Sequence, residues 1–159
     1  MFKYLVMGLC ALSFYANAQS IYQEQMQRID ISSHTTQTLT YYKGSALLTS
    51  FFMPNCRWCL RQHNVLKSIK KTCPKLQTIM LGVQGTKQKL KKELKREKNT
   101  FPAYLASRNI INAIGAKSPV PMMLIFNQAG QLAFKTVGYT PKDKLIKLLN
   151  TYQIPVCNI

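Results

Sequence analysis

Acid is scarce in this sequence: five Asp and Glu stand against 22 Lys and Arg, for a formal net charge of +17. Beyond the first twenty residues no apolar run approaches the length of about 20 residues that a membrane-spanning helix takes, and the chain contains no internal repeat and no low-complexity linker. The acid deficit draws the chain toward anionic surfaces, such as membrane headgroups or acidic partners. No zinc-finger spacing and no aromatic-basic RNA motif accompanies the charge, so nucleic acid is not an expected partner, and a solvated basic surface is the plainest reading. At 159 residues the chain suits one domain, large enough to bury a core without cross-links. Any cysteine chemistry is therefore optional for folding.

The opening MFKYLVMGLCALSFYANAQS begins with a basic residue, Lys3, runs apolar from Tyr4 to Tyr15 and closes on Ala16-Asn17-Ala18. That is the pattern of a secretory leader cleaved after Ala18, with a retained anchor helix as the alternative. Leu9 before Cys10 does not suit lipoprotein cleavage. Removal of residues 1–18 takes Cys10 and leaves Cys56, Cys59, Cys73 and Cys157, and an even set in an oxidising compartment favours disulfides.

Residues 19–37 are polar and Gln-rich and suggest an extended arm with a first strand near Ile29 and Ile31; a domain over 38–159 follows. TLTYY (38–42) is compatible with a strand, and SALLTSFFM (45–53) has the near-continuous apolar character of a strand covered on both faces. Leu60, Val65, Leu66 and Ile69 form a helical stripe that Pro74 ends. LQTIMLGV (76–83) is the next strand. TKQKLKKELKREK (86–98) is a charged helix docked only by Leu90 and Leu94. A short extended piece (100–107), a helix over 108–116 ended by Gly115, and a hairpin turning near Gly130 follow. Thr140 as N-cap, with Pro141 and Asp143 behind it, opens a last helix to about Tyr152.

Cys56-Arg57-Trp58-Cys59 sits where the apolar strand gives way to the first helix. Disulfide exchange needs one thiolate to attack and a second thiol to resolve the mixed disulfide. At a helix start, positions i and i+3 share a face, and the free N–H groups favour Cys56 as thiolate, with Arg57 adding positive charge. Cys59 is then the resolving, more buried thiol. A zinc site would need two further ligands from Cys73, Cys157, His34 and His63, which form no second close pair. His63, one turn after Cys59, is expected at the surface. A c-type haem is excluded because Leu60 follows Cys59 where such a site has His. A structural staple closing so short a loop would add little. Farther on, Pro119-Val120-Pro121 precedes MMLIF. Proline is awkward at the entry to a strand, and a cis Val120–Pro121 bond would free the Val120 backbone to pair with an extended substrate.

Together these residues resemble the thioredoxin superfamily. ALLTSFFMPNCRWC is similar to its strand running into CxxC, and SPVPMMLIFNQAGQLAFKTVGYTPKDKLIKLL to its cis-proline strand, hairpin, glycine and last helix. Residues 86–116, with TFP, resemble the helix-and-strand insertion of the exported TlpA-like subgroup, while Val120 before the proline resembles DsbA-type oxidases. The likeness runs over residues 28–152. It differs at Ser50, where many thioredoxins have a buried aspartate, at Asn55, where an aromatic residue is usual, and in the Arg57-Trp58 dipeptide.

The resemblance implies an α/β thioredoxin-like fold, a central mixed sheet flanked by helices, and cofactor-free thiol-disulfide exchange by Cys56 and Cys59. Val120, Pro121, Arg57 and Trp58 would then meet the substrate. It further implies a monomer in the periplasm that acts on protein thiols or disulfides and is regenerated by a membrane redox protein. In such a layout the ends of the first and last helices are neighbours, so Cys73 and Cys157 could bridge, at a stabilisation of about 4.5 kcal/mol; free thiols or an intermolecular pairing are the alternatives. A different class of function stays open: a non-catalytic module with a static disulfide, docking by its basic face to a secretion or conjugation assembly.

Overall fold

The computed structural model describes residues 21–32, 35–154 and 157; the leader and cleavage site expected over residues 1–18, and His34, lie outside them. The strands are β1 (Met26–Arg28), β2 (Thr36–Gln37), β3 (Leu47–Phe52), β4 (Gln77–Gly82), β5 (Ala103–Leu105), β6 (Met122–Phe126) and β7 (Leu132–Val137). The helices are α1 (Arg57–Thr72), α2 (Lys87–Arg96), α3 (Arg108–Ile114) and α4 (Lys142–Thr151). Among the described residues the strands form one sheet in the order β2-β1-β5-β4-β3-β6-β7. β3, β4 and β5 run parallel, and β6, β7, β1 and β2 join antiparallel.

β3 is buried at every residue because successive side chains of a strand point to opposite faces and both faces are covered. Leu48 and Phe52 pack with Leu66 and Ile69 of α1, Leu90 and Leu94 of α2, and Leu145 and Leu149 of α4. Leu47 and Phe51 face the other way, toward Leu39, Tyr42 and Ile110 of α3. β7 at the sheet edge alternates instead, with Leu132, Phe134 and Thr136 buried and Val137 exposed. The hairpin between β6 and β7 turns at Gly130, whose φ of 79° suits a residue without a Cβ. Close approach matters at Gly82 too: a Cβ there would meet Leu90 at 2.8 Å, so glycine lets α2 lie tight on β4.

Three local expectations change. TLTYY forms a 3-10 helix over Leu39–Tyr42, which puts Leu39 and Tyr42, three apart, into the core together. There the Tyr42 hydroxyl lies 3.0 Å from that of Tyr104, which donates to Gln37 at 2.7 Å and so ties β2 to the sheet. Burial pushes both phenols above the usual tyrosine range. In the arm, β1 pairs with β5 and Ile29 is buried, whereas Ile31 stays exposed. At the other end of the chain, Thr140 does not cap α4: Pro141 holds the N-cap position without a side-chain bond, and the Thr140 backbone is engaged elsewhere.

The charged helix also docks differently. Thr86 caps α2 by accepting from the Lys89 N–H at 3.3 Å. Glu93 and Glu97 are buried alongside Leu90 and Leu94, so two of the five acidic residues of the chain face inward while the lysines face out. Cys73 caps the C-terminal end of α1, and its sulfur is bonded to that of Cys157.

Candidate active site

The chain leaves β3 at Phe52, turns through Met53 and Pro54, and passes Asn55 in the left-handed region at φ 59° before entering α1. Asparagine tolerates that region better than most residues. Its N–H donates to the Glu93 carboxylate at 3.2 Å, so α2 holds the residue just before the CxxC pair. Arg96 donates to the other oxygen of the same carboxylate.

Cys56 is the N-cap of α1 and Cys59 closes its first turn. The two sulfurs are bonded, across a Cα–Cα distance of 5.2 Å. The Cys56 sulfur also accepts the Cys59 N–H at 3.1 Å, one of the helix-start donors that lack a partner within the helix. Cys56 keeps 6% of its surface exposed against 2% for Cys59, so solvent reaches Cys56 more readily. Such a pair can cycle between disulfide and dithiol, and a thiolate formed on Cys56 would meet free N–H groups.

Around the pair the surface is aromatic and basic. Trp58 is 51% exposed, with its ring 5.6 Å from Tyr139, and the Arg61 guanidinium sits 4.6 Å above the indole. Arg57 is exposed. The Val120–Pro121 peptide is cis. Pro121 is buried, and half-buried Val120 packs against the apolar cluster that contains Cys56 and Cys59. The Pro121 carbonyl accepts from the Gly138 N–H at 2.8 Å, and so joins the proline strand to the loop that carries Tyr139.

That loop is locked to α1 by a residue that sequence reasoning passed over. Gln62 is fully buried; its side-chain oxygen accepts from the Thr140 N–H at 2.8 Å and its amide donates to the Thr140 carbonyl at 3.2 Å. This satisfies the amide from both sides. His63, expected at the surface, is also fully buried: Nδ1 lies 3.0 Å from a Glu97 carboxylate oxygen, without hydrogen-bond alignment, and the ring packs on Phe101. Lys67 donates to the Glu97 carbonyl at 2.8 Å, a second tie between α1 and the end of α2. A signal for these residues existed. Cys59, Gln62, Leu66 and Ile69 follow helical spacing, and so do Leu90, Glu93, Leu94 and Glu97, so the polar members stand on apolar stripes.

The four described cysteines engage each other in two disulfides, and among the described residues no group of three or more His, Cys, Asp or Glu is placed to hold a metal ion. The family model described as a thioredoxin-like domain matches residues 37–153. Among solved structures, dsbF of MTB aligns with a TM-score of 0.70 at 13% identity, over 85% of this chain and 97% of its own. A secreted Mycobacterium tuberculosis disulfide oxidoreductase homologous to E. coli DsbE aligns at 0.67 and 12%, over 83% and 98%. StoA from Bacillus subtilis aligns at 0.60 and 17%, over 79% and 94%. These likenesses concern the fold. No curated protein matches the chain.

Proposed function

The chain belongs to the thioredoxin-like domain family, and from that premise we propose that it is an exported, periplasmic thiol-disulfide oxidoreductase acting on protein substrates. The observation that carries the reading is the CxxC disulfide at the N-cap of α1, with Cys56 as its outer sulfur. In the reducing direction the Cys56 thiolate attacks one sulfur of a client disulfide, forming a mixed disulfide and releasing one client thiolate. Cys59 then attacks the Cys56 sulfur, releases the second client thiol and leaves the Cys56–Cys59 disulfide, so two electrons pass to the client. Oxidation of a client dithiol runs the same steps backward. The pair carries both electrons, so no cofactor is needed.

Val120, which packs on the cluster that holds the pair, offers its backbone to an extended client because the cis Pro121 turns the chain there, and Arg57 with Trp58 supplies charge and apolar surface beside the attacking sulfur. The protein works as a monomer and is regenerated by a membrane redox partner. Export rests on the leader pattern at residues 1–18, and the likeness to a secreted disulfide oxidoreductase supports it.

The test is Cys56→Ser against Cys59→Ala. Cys56→Ser is expected to lose disulfide exchange to background in an insulin-reduction assay, and Cys59→Ala to trap mixed disulfides with clients in the native compartment. Cys56→Ser retaining wild-type exchange would overturn the assignment; client binding without exchange by the wild type would point to the non-catalytic module.

A further inference from the structure

Beside the CxxC pair lies a groove of about 680 Å³ that begins at Pro54 and Asn55, the two residues before Cys56, and continues past Gly85 along Lys89, Lys92 and Arg96 of α2. Two features make it a built cleft. A Cβ on Gly85 would meet Pro54 at 2.7 Å, so only glycine lets the α2 entry loop close on the turn before the active site. The acidic residue in the groove lining, Glu93, is 4% exposed and already engaged by Arg96 and the Asn55 N–H.

The groove therefore presents positive charge. Lys89 and Lys92 are exposed, and among the described residues neither forms an ion pair. Lys92 is shared with a second groove of about 600 Å³ on the other flank of α2, where Lys91, Lys95 and Lys98 add to the same field and Asp30 is held by Arg28.

Resting on the oxidoreductase reading, we infer that this groove selects clients whose reactive cysteine is flanked by an acidic segment, Asp- or Glu-rich, which lies along Lys89 and Lys92 while the cysteine is joined to Cys56. Position favours a polypeptide over a lipid surface: the cleft is concave and starts at the residue adjoining Cys56, as suits a chain continuing from a mixed disulfide. Charge complementarity in such a cleft acts chiefly on encounter and partner choice.

The test uses the reduced full-length mature protein and twelve-residue peptides that each carry one cysteine in mixed disulfide with thionitrobenzoate, flanked by Glu, Ser or Lys. Cys56 attacks the peptide sulfur and thionitrobenzoate leaves with the electron pair; Cys59 then frees the peptide thiol. In single turnover at low salt, the second-order rate constant of thionitrobenzoate release is expected to be about ten-fold higher for the Glu peptide than for the Ser peptide and lower still for the Lys peptide, with the differences closing at high salt. The double variant K89E/K92E should abolish the preference for Glu. K144E/K147E on α4 makes the same change of net charge and should keep it. Equal rates for Glu and Ser peptides, or a preference that survives K89E/K92E, overturns the inference. So does a groove that binds phosphatidylglycerol vesicles through Lys89 and Lys92 while the peptides react alike. Hydroxyethyl disulfide, small and uncharged, separates the two levels: its reduction by every variant leaves the oxidoreductase reading standing whatever the peptides show, and its failure with the wild type counts against that reading itself.

Discussion

Cys56 caps the N-terminus of α1 and Cys73 its C-terminus, so one helix offers two sulfurs to opposite electrostatic ends. At the first end free N–H groups favour a thiolate; at the second the carbonyl ends of the helix oppose one, and Lys70 and Lys71 in the last turn answer those carbonyls instead. Cys56 pairs three residues away across a short loop and keeps some exposure, whereas Cys73 is fully buried and pairs at a separation of 84. Loop length and helix polarity therefore point the same way. The first disulfide is suited to open and close, and the second to restrict the unfolded chain.

The comparison breaks most readily in stability. Replacing both Cys73 and Cys157 by Ala should cost up to about 4.5 kcal/mol in a urea titration while leaving disulfide exchange by Cys56 and Cys59 intact. A loss under about 1 kcal/mol would remove Cys73–Cys157 from the structural role. Between the two ends stands the buried His63–Glu97 contact, which fixes the middle of α1 to α2. Glu97→Ala leaves the buried imidazole without a polar neighbour and should cost about 2 kcal/mol, measured by the same titration.

Selective reduction of Cys56–Cys59 sharpens the contrast from the other side. The short loop limits the change to about 2 kcal/mol, and differential alkylation with mass spectrometry should find Cys56 and Cys59 modified first, with Cys73 and Cys157 protected until the chain unfolds. The reverse order would undo the assignment. The smallest expected effect lies away from both sulfur pairs, at Tyr42 and Tyr104. Disulfides do not titrate, so while both are closed the sulfurs contribute nothing to alkaline loss of stability. Burial raises the Tyr42 phenol above its ordinary value of 10.0, so the neutral form belongs to the folded state. Its contribution is whole below that value and falls as pH climbs through it toward the folded-state value. Stability should decline above pH 10, as followed by urea midpoint, and decline less steeply in Tyr42→Phe.

Much of this was legible in one dimension. A near-continuous apolar run marked β3, the Cys-x-x-Cys spacing marked the Cys56–Cys59 pair, and Pro74, Gly115 and Gly130 marked ends and turns, because each signal depends on neighbours in sequence. TLTYY misled because Leu39 and Tyr41, two apart, suit a strand while Leu39 and Tyr42, three apart, suit a 3-10 turn, and the Tyr42–Tyr104 contact across the fold favours the turn. His63, Gln62, Glu93 and Glu97 misled for a related reason. A polar side chain on an apolar stripe is buried only if a partner waits for it, and Thr140, Asn55 and the other elements concerned lie far away along the chain.

By itself, then, the amino-acid order determined the covalent and local matters: which cysteines are spaced to share a helical turn, where the central strand runs, and how positive the chain is. Tertiary structure alone decided that α2 turns Glu93 inward to grip the turn before Cys56, sets Glu97 at its end against His63 and leaves its lysines along a cleft. Desolvating a carboxylate is costly unless donors converge on it, and convergence from separate elements is a property of the fold.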